Sequence, residues 1–114
     1  MEAPKKLYDT NALIEAKKSR KSLKGYTTVL NLVEYPKGAL FDLTILYPSK
    51  KEYKLAIKIS KELVKRGYPL PAVDILIAAV ALNRDFVVVT KDKHFLLIKE
   101  MYPDLKIEIW EEEK

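Results

Sequence analysis

Two kinds of segment alternate along this chain. Short apolar or β-branched runs are separated by longer stretches whose apolar side chains return every third or fourth position. Lys6 to Tyr8 reads as a first strand ending at Asp9-Thr10-Asn11, and from Ala12 the residues Leu13, Ile14 and Ala16 trace a helix that fades into Lys17-Lys18-Ser19-Arg20-Lys21. Gly25 marks a turn before Tyr26 to Val29, whose composition suits a strand. Leu30, Leu32 and Val33 supply the stripe of a helix that carries Glu34. Pro36 has no N–H and clashes with the preceding turn, so it predicts a kink or a later helix start.

The second half continues the alternation. Leu43 to Leu46 is a third strand or a connecting extension, and Pro48-Ser49 opens a long helix through Lys65 that Gly67 and Pro69 stop. That helix is expected to bury Tyr53, Ala56, Ile59, Leu63 and Val64, and to expose Lys51, Lys54, Lys58, Lys61 and Lys65. Val73 to Asn83 is a nearly all-apolar helix whose Ala78, Ala79 and Ala81 allow close approach to a sheet. Phe86 to Thr90 has the continuous apolar character of a buried parallel strand. Asp92 to Tyr102 reads as a helix, Lys106 to Trp110 as a last strand and Glu111 to Lys114 as a solvated tail. This order predicts a three-layer α/β/α sandwich around a mostly parallel central sheet, formed by residues 1–114 as one domain. Ile75–Leu82 and Phe86–Val89 should form its centre.

Composition narrows the chemistry. The chain has 114 residues, 48% of them hydrophobic, enough for a packed core. It has no cysteine, which excludes disulfides, zinc-thiolate sites and thiol nucleophiles. Its apolar runs are too short to cross a bilayer, and Met1 to Lys6 carries no secretory segment, so a cytoplasmic location is expected. Glutamine is absent and lysine abundant, a balance typical of thermophile proteins. The net charge of +5 favours weak attraction to polyanions.

Against that basic background, four acids stand where a strand or loop meets a helix: Asp9, Glu34, Asp74 and Asp92. In an alternating β/α chain such junctions gather at the carboxyl edge of the sheet. Asp9, Asp74 and Asp92 each also have a simpler explanation as helix caps or acids at a helix dipole. Glu34 has the weakest structural excuse, because it sits among Leu30, Leu32, Val33 and Tyr35. Four carboxylates brought together would repel one another without a cation, and hard oxygen donors point to Mg²⁺ or Mn²⁺.

The motifs carrying these acids resemble the PIN-domain ribonucleases, and among them the VapC-type toxins of toxin–antitoxin pairs. Tyr8-Asp9-Thr10-Asn11-Ala12-Leu13 is similar to the family's opening strand and turn, and Thr28-Val29-Leu30-Asn31-Leu32-Val33-Glu34 to the segment bearing its glutamate. Asp74-Ile75-Leu76-Ile77-Ala78-Ala79-Val80-Ala81, followed by Val88-Val89-Thr90-Lys91-Asp92 and Phe95, is the closest match. The resemblance implies a PIN-like fold and an endoribonuclease using Mg²⁺ or Mn²⁺ held by Asp9, Glu34, Asp74 and Asp92, with Asn11 and Thr90 in support. It further implies an antitoxin partner covering the acidic pocket, and a homodimer is expected. Two departures stand out: His94 occupies a position where many relatives carry another acid, and Pro36 follows Glu34 where relatives run on as helix.

Lys17, Lys18, Arg20, Lys21 and Lys24 form the densest basic run, either a solvated helix end or an RNA phosphate grip flanking Asp9. His94 is the only histidine, which excludes a histidine-based metal site; it is expected at the surface, near the site because of Asp92. The seven tyrosines are scattered, with most expected in the core or an interface, and Trp110 is expected to pack. Three other readings remain: a stand-alone RNA-processing nuclease, a non-catalytic PIN-like binding module, and a receiver-like module. The last needs two adjacent acids after the first strand, which Leu7-Tyr8-Asp9-Thr10 lacks.

Overall fold

The computed structural model of the chain describes residues 3–111. Five strands form one parallel sheet: β1 (Lys6–Tyr8), β2 (Tyr26–Thr28), β3 (Thr44–Leu46), β4 (Val87–Thr90) and β5 (Lys106–Ile109), in the order β3-β2-β1-β4-β5. Leu7 lies beside Tyr26 on one side and Val88 on the other, and Val88 beside Ile107. The helices are α1 (Thr10–Lys18), α2 (Val29–Glu34), α3 (Lys50–Lys65), α4 (Ala72–Arg84) and α5 (Phe95–Met101), with a 3-10 helix at Pro36–Leu40.

The pleat decides which layer each side chain joins. Leu7 and Val88 point into a core built with α3, α4 and α5, where Ile59, Ile77, Ala78, Ala79, Val80, Phe95 and Ile98 are all fully buried. Their neighbours Tyr8 and Val89 point the other way, onto Ala12, Leu13 and Ala16 of α1. The expected α/β/α sandwich is therefore present, with α4 and β4 at its centre. Of the expected tail, Glu111 is exposed and the remainder lies outside the described residues. No helix among the described residues is long and apolar enough to cross a membrane.

Local signals explain most boundaries. Ser49 caps α3, accepting from the Glu52 N–H while the Glu52 carboxylate accepts from the Ser49 N–H. Thr28 and Asn31 form an equivalent box at the start of α2. Gly25, at φ +137°, admits the chain to β2, and a β-carbon there would lie 2.6 Å from the Lys6 carbonyl oxygen. Pro36 neither kinks α2 nor delays it: the helix stops at Glu34, Tyr35 turns extended, and Pro36 starts the 3-10 helix.

Two expectations are corrected. Helix α5 starts at Phe95, so Asp92 stands in the preceding turn rather than in the helix. In α3 the buried face is Glu52, Ala56, Ile59 and Leu63, whereas Tyr53 and Val64 are 44% and 63% exposed. The stripe centres on Ala56 and Ile59, leaving Tyr53 and Val64 on its flank. Glu52 joins it because Arg84 donates to both its oxygens, at 2.7 and 2.8 Å, and Asn83 donates at 3.0 Å. Burial alone would raise the Glu52 pKa, but the bonds from Arg84, Asn83 and the Ser49 N–H hold it at about 2. Among the tyrosines, Tyr47, Tyr53 and Tyr68 are exposed rather than packed.

Candidate metal centre

Strand order reverses between β1 and β4, whose carboxyl ends open side by side; such a switch point is where open α/β sheets hold their ligands. Asp9 leaves the end of β1 and Asp92 follows β4, one on each side of that crevice. Asp9 is only 2% exposed. One of its oxygens accepts from the Ala12 N–H at 2.9 Å, which makes it the N-cap of α1, and the other accepts from the Thr90 hydroxyl. Thr90 is fully buried, and its oxygen also accepts from the Asp92 N–H at 2.9 Å. A single threonine thus ties the two aspartates together.

The other acids arrive from the helices. Asp74 lies in the first turn of α4, where Pro71 caps the helix without a side-chain bond, so capping does not account for this residue. Asp92 does not cap α5 either, since His94 occupies that position. The His94 ring sits between them, its Nε2 2.8 Å from Asp74 Oδ2 and its Nδ1 2.9 Å from Asp92 Oδ1. Asn11 reaches Asp92 Oδ2 at 3.5 Å, the limit of a hydrogen bond. Glu34 ends α2 and is exposed rather than sunk in its apolar surroundings. Its Oε1 accepts from the Thr10 hydroxyl at 2.6 Å, and buried Asn31 donates to Thr10 at 3.0 Å.

The acids share one electrostatic field. Burial pushes the Asp9 carboxyl up to about 6, against the bonds from Thr90 and Ala12 and helped by the charges of Asp74 and Asp92. Asp74 is raised for the same first reason, burial; His94 opposes the shift while Asp92 and Glu34 add to it. Carboxylates that disfavour one another's ionisation are stabilised by a cation among them. The donors fit a divalent ion: one atom each from Asp74, Asp92 and His94 lie within 4.8 Å of one another.

The basic run lies elsewhere. Lys17 and Lys18 close α1, whose N-terminus carries Asp9, so they stand about 13 Å away at 1.5 Å per residue. Lys18 lies 3.9 Å from Glu15, Lys21 covers the Trp110 ring at 5.3 Å, and Lys24 lends its carbonyl to the Tyr8 hydroxyl. Arg20 takes a left-handed backbone at φ 54° beyond the helix end. Trp110 packs with the α1 core as expected.

The structure links Asp9, Thr90 and Asp92 by hydrogen bonds and brings in His94, expected only as a surface residue near Asp92, together with Thr10 and Asn31, which sequence reasoning did not single out. His94 is not a bystander, because it touches two of the four acids. A hint was present in its position two residues after Asp92; its contact with Asp74, twenty residues away in the chain, was not legible there.

A profile of the PIN domain matches residues 37–101, more than half of the chain. The chain belongs to the PIN-domain family. The matched stretch of the PIN domain carries Asp74, Asp92 and His94, and the fold adds Asp9 and Glu34 from outside it. Solved structures agree on the architecture. VapBC2 from Rickettsia felis, bound to a DNA fragment from its promoter, matches with a TM-score of 0.76 at 20% identity, over 93% of this chain and 98% of that one. VapBC-5 from Mycobacterium tuberculosis, a member of a family of toxin–antitoxin systems, gives 0.71 at 20% identity over 95% and 100%. DNA-bound VapBC from Salmonella typhimurium gives 0.70 at 20% identity over 95% and 99%. At these identities the likeness is one of fold. Curated proteins give no match by sequence.

Proposed function

We propose that this PIN domain is a divalent-metal-dependent endoribonuclease that hydrolyses RNA phosphodiester bonds, and that it acts as the toxin of a toxin–antitoxin pair in the cytoplasm. The reading is supported by the linkage of the acids at the β1/β4 switch point of a basic protein: Thr90 bonds both Asp9 and Asp92, His94 bridges Asp92 and Asp74, and Thr10, next to Asp9, holds Glu34. Asp9, Glu34, Asp74 and Asp92 are the residues that would hold Mg²⁺ or Mn²⁺. When bound, the ion supplies Lewis-acid stabilisation of the phosphate and a water of lowered pKa.

The chain's own groups keep the acids in place. Thr90 and the Ala12 N–H orient both oxygens of Asp9, Thr10 holds Glu34, and Asn11 together with His94 steadies Asp92. No side-chain nucleophile is needed, because the acids hold the ion and water attacks. Lys17, Lys18, Arg20, Lys21 and Lys24 serve as a secondary contact for a longer RNA, away from the scissile bond rather than bordering it. The fold shared with VapBC complexes supports a cognate antitoxin as partner. The exposed Tyr53, Ile57 and Val64 of α3 support a second copy of the chain as neighbour there.

Asp9→Asn and Asp74→Asn should each abolish RNA cleavage that depends on added Mg²⁺ or Mn²⁺ and is stopped by EDTA, while circular dichroism stays native. Undiminished cleavage by both variants would refute the assignment.

A further inference from the structure

His94 stands out inside the acid cluster. Both of its ring nitrogens are spent on carboxylates, one on Asp74 and one on Asp92. It occupies the N-cap position of α5 without making a cap hydrogen bond. Its ring stacks on Phe95 at 5.4 Å between centroids, and Phe95 is fully buried, so the core holds the imidazole plane in place. Its side chain is 24% exposed.

Accepting the metal-dependent reading above, we propose that His94 is itself a metal ligand, giving the site a nitrogen donor beside Asp74 and Asp92 and a stronger preference for later first-row ions such as Ni²⁺ and Zn²⁺ over Mg²⁺ than carboxylates alone would give. The three donor atoms already lie within 4.8 Å of one another. Donors on neighbouring corners of a six-coordinate ion with bonds of about 2.1 Å are separated by about 3 Å, and the His94 to Asp74 distance is 2.8 Å. Nε2, 2.8 Å from Asp74 Oδ2, is assigned as the ligating nitrogen. Nδ1–H then stays on Asp92 Oδ1, a contact that holds the ring's tautomer and orientation. Imidazole suits later first-row ions such as Ni²⁺ and Zn²⁺ well, whereas Mg²⁺ prefers oxygen and water alone. An all-carboxylate pocket favours the later ions less strongly.

The test is electron spin-echo spectroscopy of Mn²⁺ bound to the wild-type chain and to His94→Gln. The wild type should show ¹⁴N modulation from a directly bound imidazole, and His94→Gln should bind Mn²⁺ without it. Competition of Mg²⁺ against Zn²⁺ should show the Zn²⁺ preference falling about ten-fold or more in His94→Asp, a variant that also guards against a folding defect specific to glutamine. Mn²⁺ bound to the wild type without ¹⁴N modulation, or an unchanged preference in His94→Asp, overturns the nitrogen-ligand proposal and leaves the carboxylate nuclease standing. Failure of wild type to bind Mn²⁺, or binding indifferent to Asp9→Asn and Asp74→Asn, overturns both.

Discussion

Replacing Asp9 with asparagine should make the metal-free protein more stable while removing its activity. Asp9 is 2% exposed, and its carboxyl rises from 3.8 to about 6 mainly because burial disfavours the charged form. That gap corresponds to about 3 kcal/mol. Since the folded value lies above the unfolded one, protonation favours the native state. The contribution is complete below pH 4 and is lost as pH rises through about 6. At pH 8 the wild type therefore carries a destabilising buried charge that Asp9→Asn lacks. Asparagine keeps an oxygen for the Ala12 N–H, so the α1 cap survives, but it turns the Thr90 contact round at a cost of about 1 kcal/mol. The net gain should be about 2 kcal/mol, or roughly 8 °C in Tm. Thermal and urea melts in EDTA from pH 4 to pH 8 measure it, and at the acid end, where only the Thr90 cost remains, the gain should vanish and give way to a loss of about 1 kcal/mol. Adding Mn²⁺ should raise the wild type by mass action and the variant little. A variant no more stable than wild type at pH 8, or a difference that is flat with pH, would refute the reasoning.

Arg84→Ala should leave the fully buried Glu52 without its main partner and cost about 3–5 kcal/mol in urea unfolding, while Glu52→Leu with Arg84→Met should recover most of it. Gly25→Ala should cost more than about 2 kcal/mol or prevent folding, because it forces an L residue into φ +137° and sets a β-carbon against the β1 backbone; a Tm within a few degrees of wild type would contradict this. Thr10→Ala should lower kcat/KM for RNA about ten-fold, since it frees the exposed Glu34, and should also cost about 1–3 kcal/mol in urea unfolding, since buried Asn31 loses its acceptor; a stability loss with unchanged kcat/KM would mark Thr10 as structural only.

Much of the architecture was legible because its signals are short in range. The helix entry at Pro48-Ser49, the turn at Gly25 and the apolar run of α4 are all steric or hydrogen-bonding facts within a few residues. Alternation of strand and helix then sends strand ends to one edge, so the gathering of Asp9, Glu34, Asp74 and Asp92 could be anticipated before their partners were known. Other features needed the strand order β3-β2-β1-β4-β5 and the packing of α3 on α4. The burial of Glu52 follows from Arg84, thirty-two residues on, closing over it. His94 looked like a surface residue until the turn after β4 swung it against Asp74 at the head of α4. The basic run followed Asp9 closely in the chain, but α1 carries it to the far end of the molecule's layer. Local sequence determines where backbone can turn and which face is apolar, because those depend on sterics and on periods of two and 3.6 residues. Which charges meet depends on contacts between distant segments, and only the assembled sheet decides those.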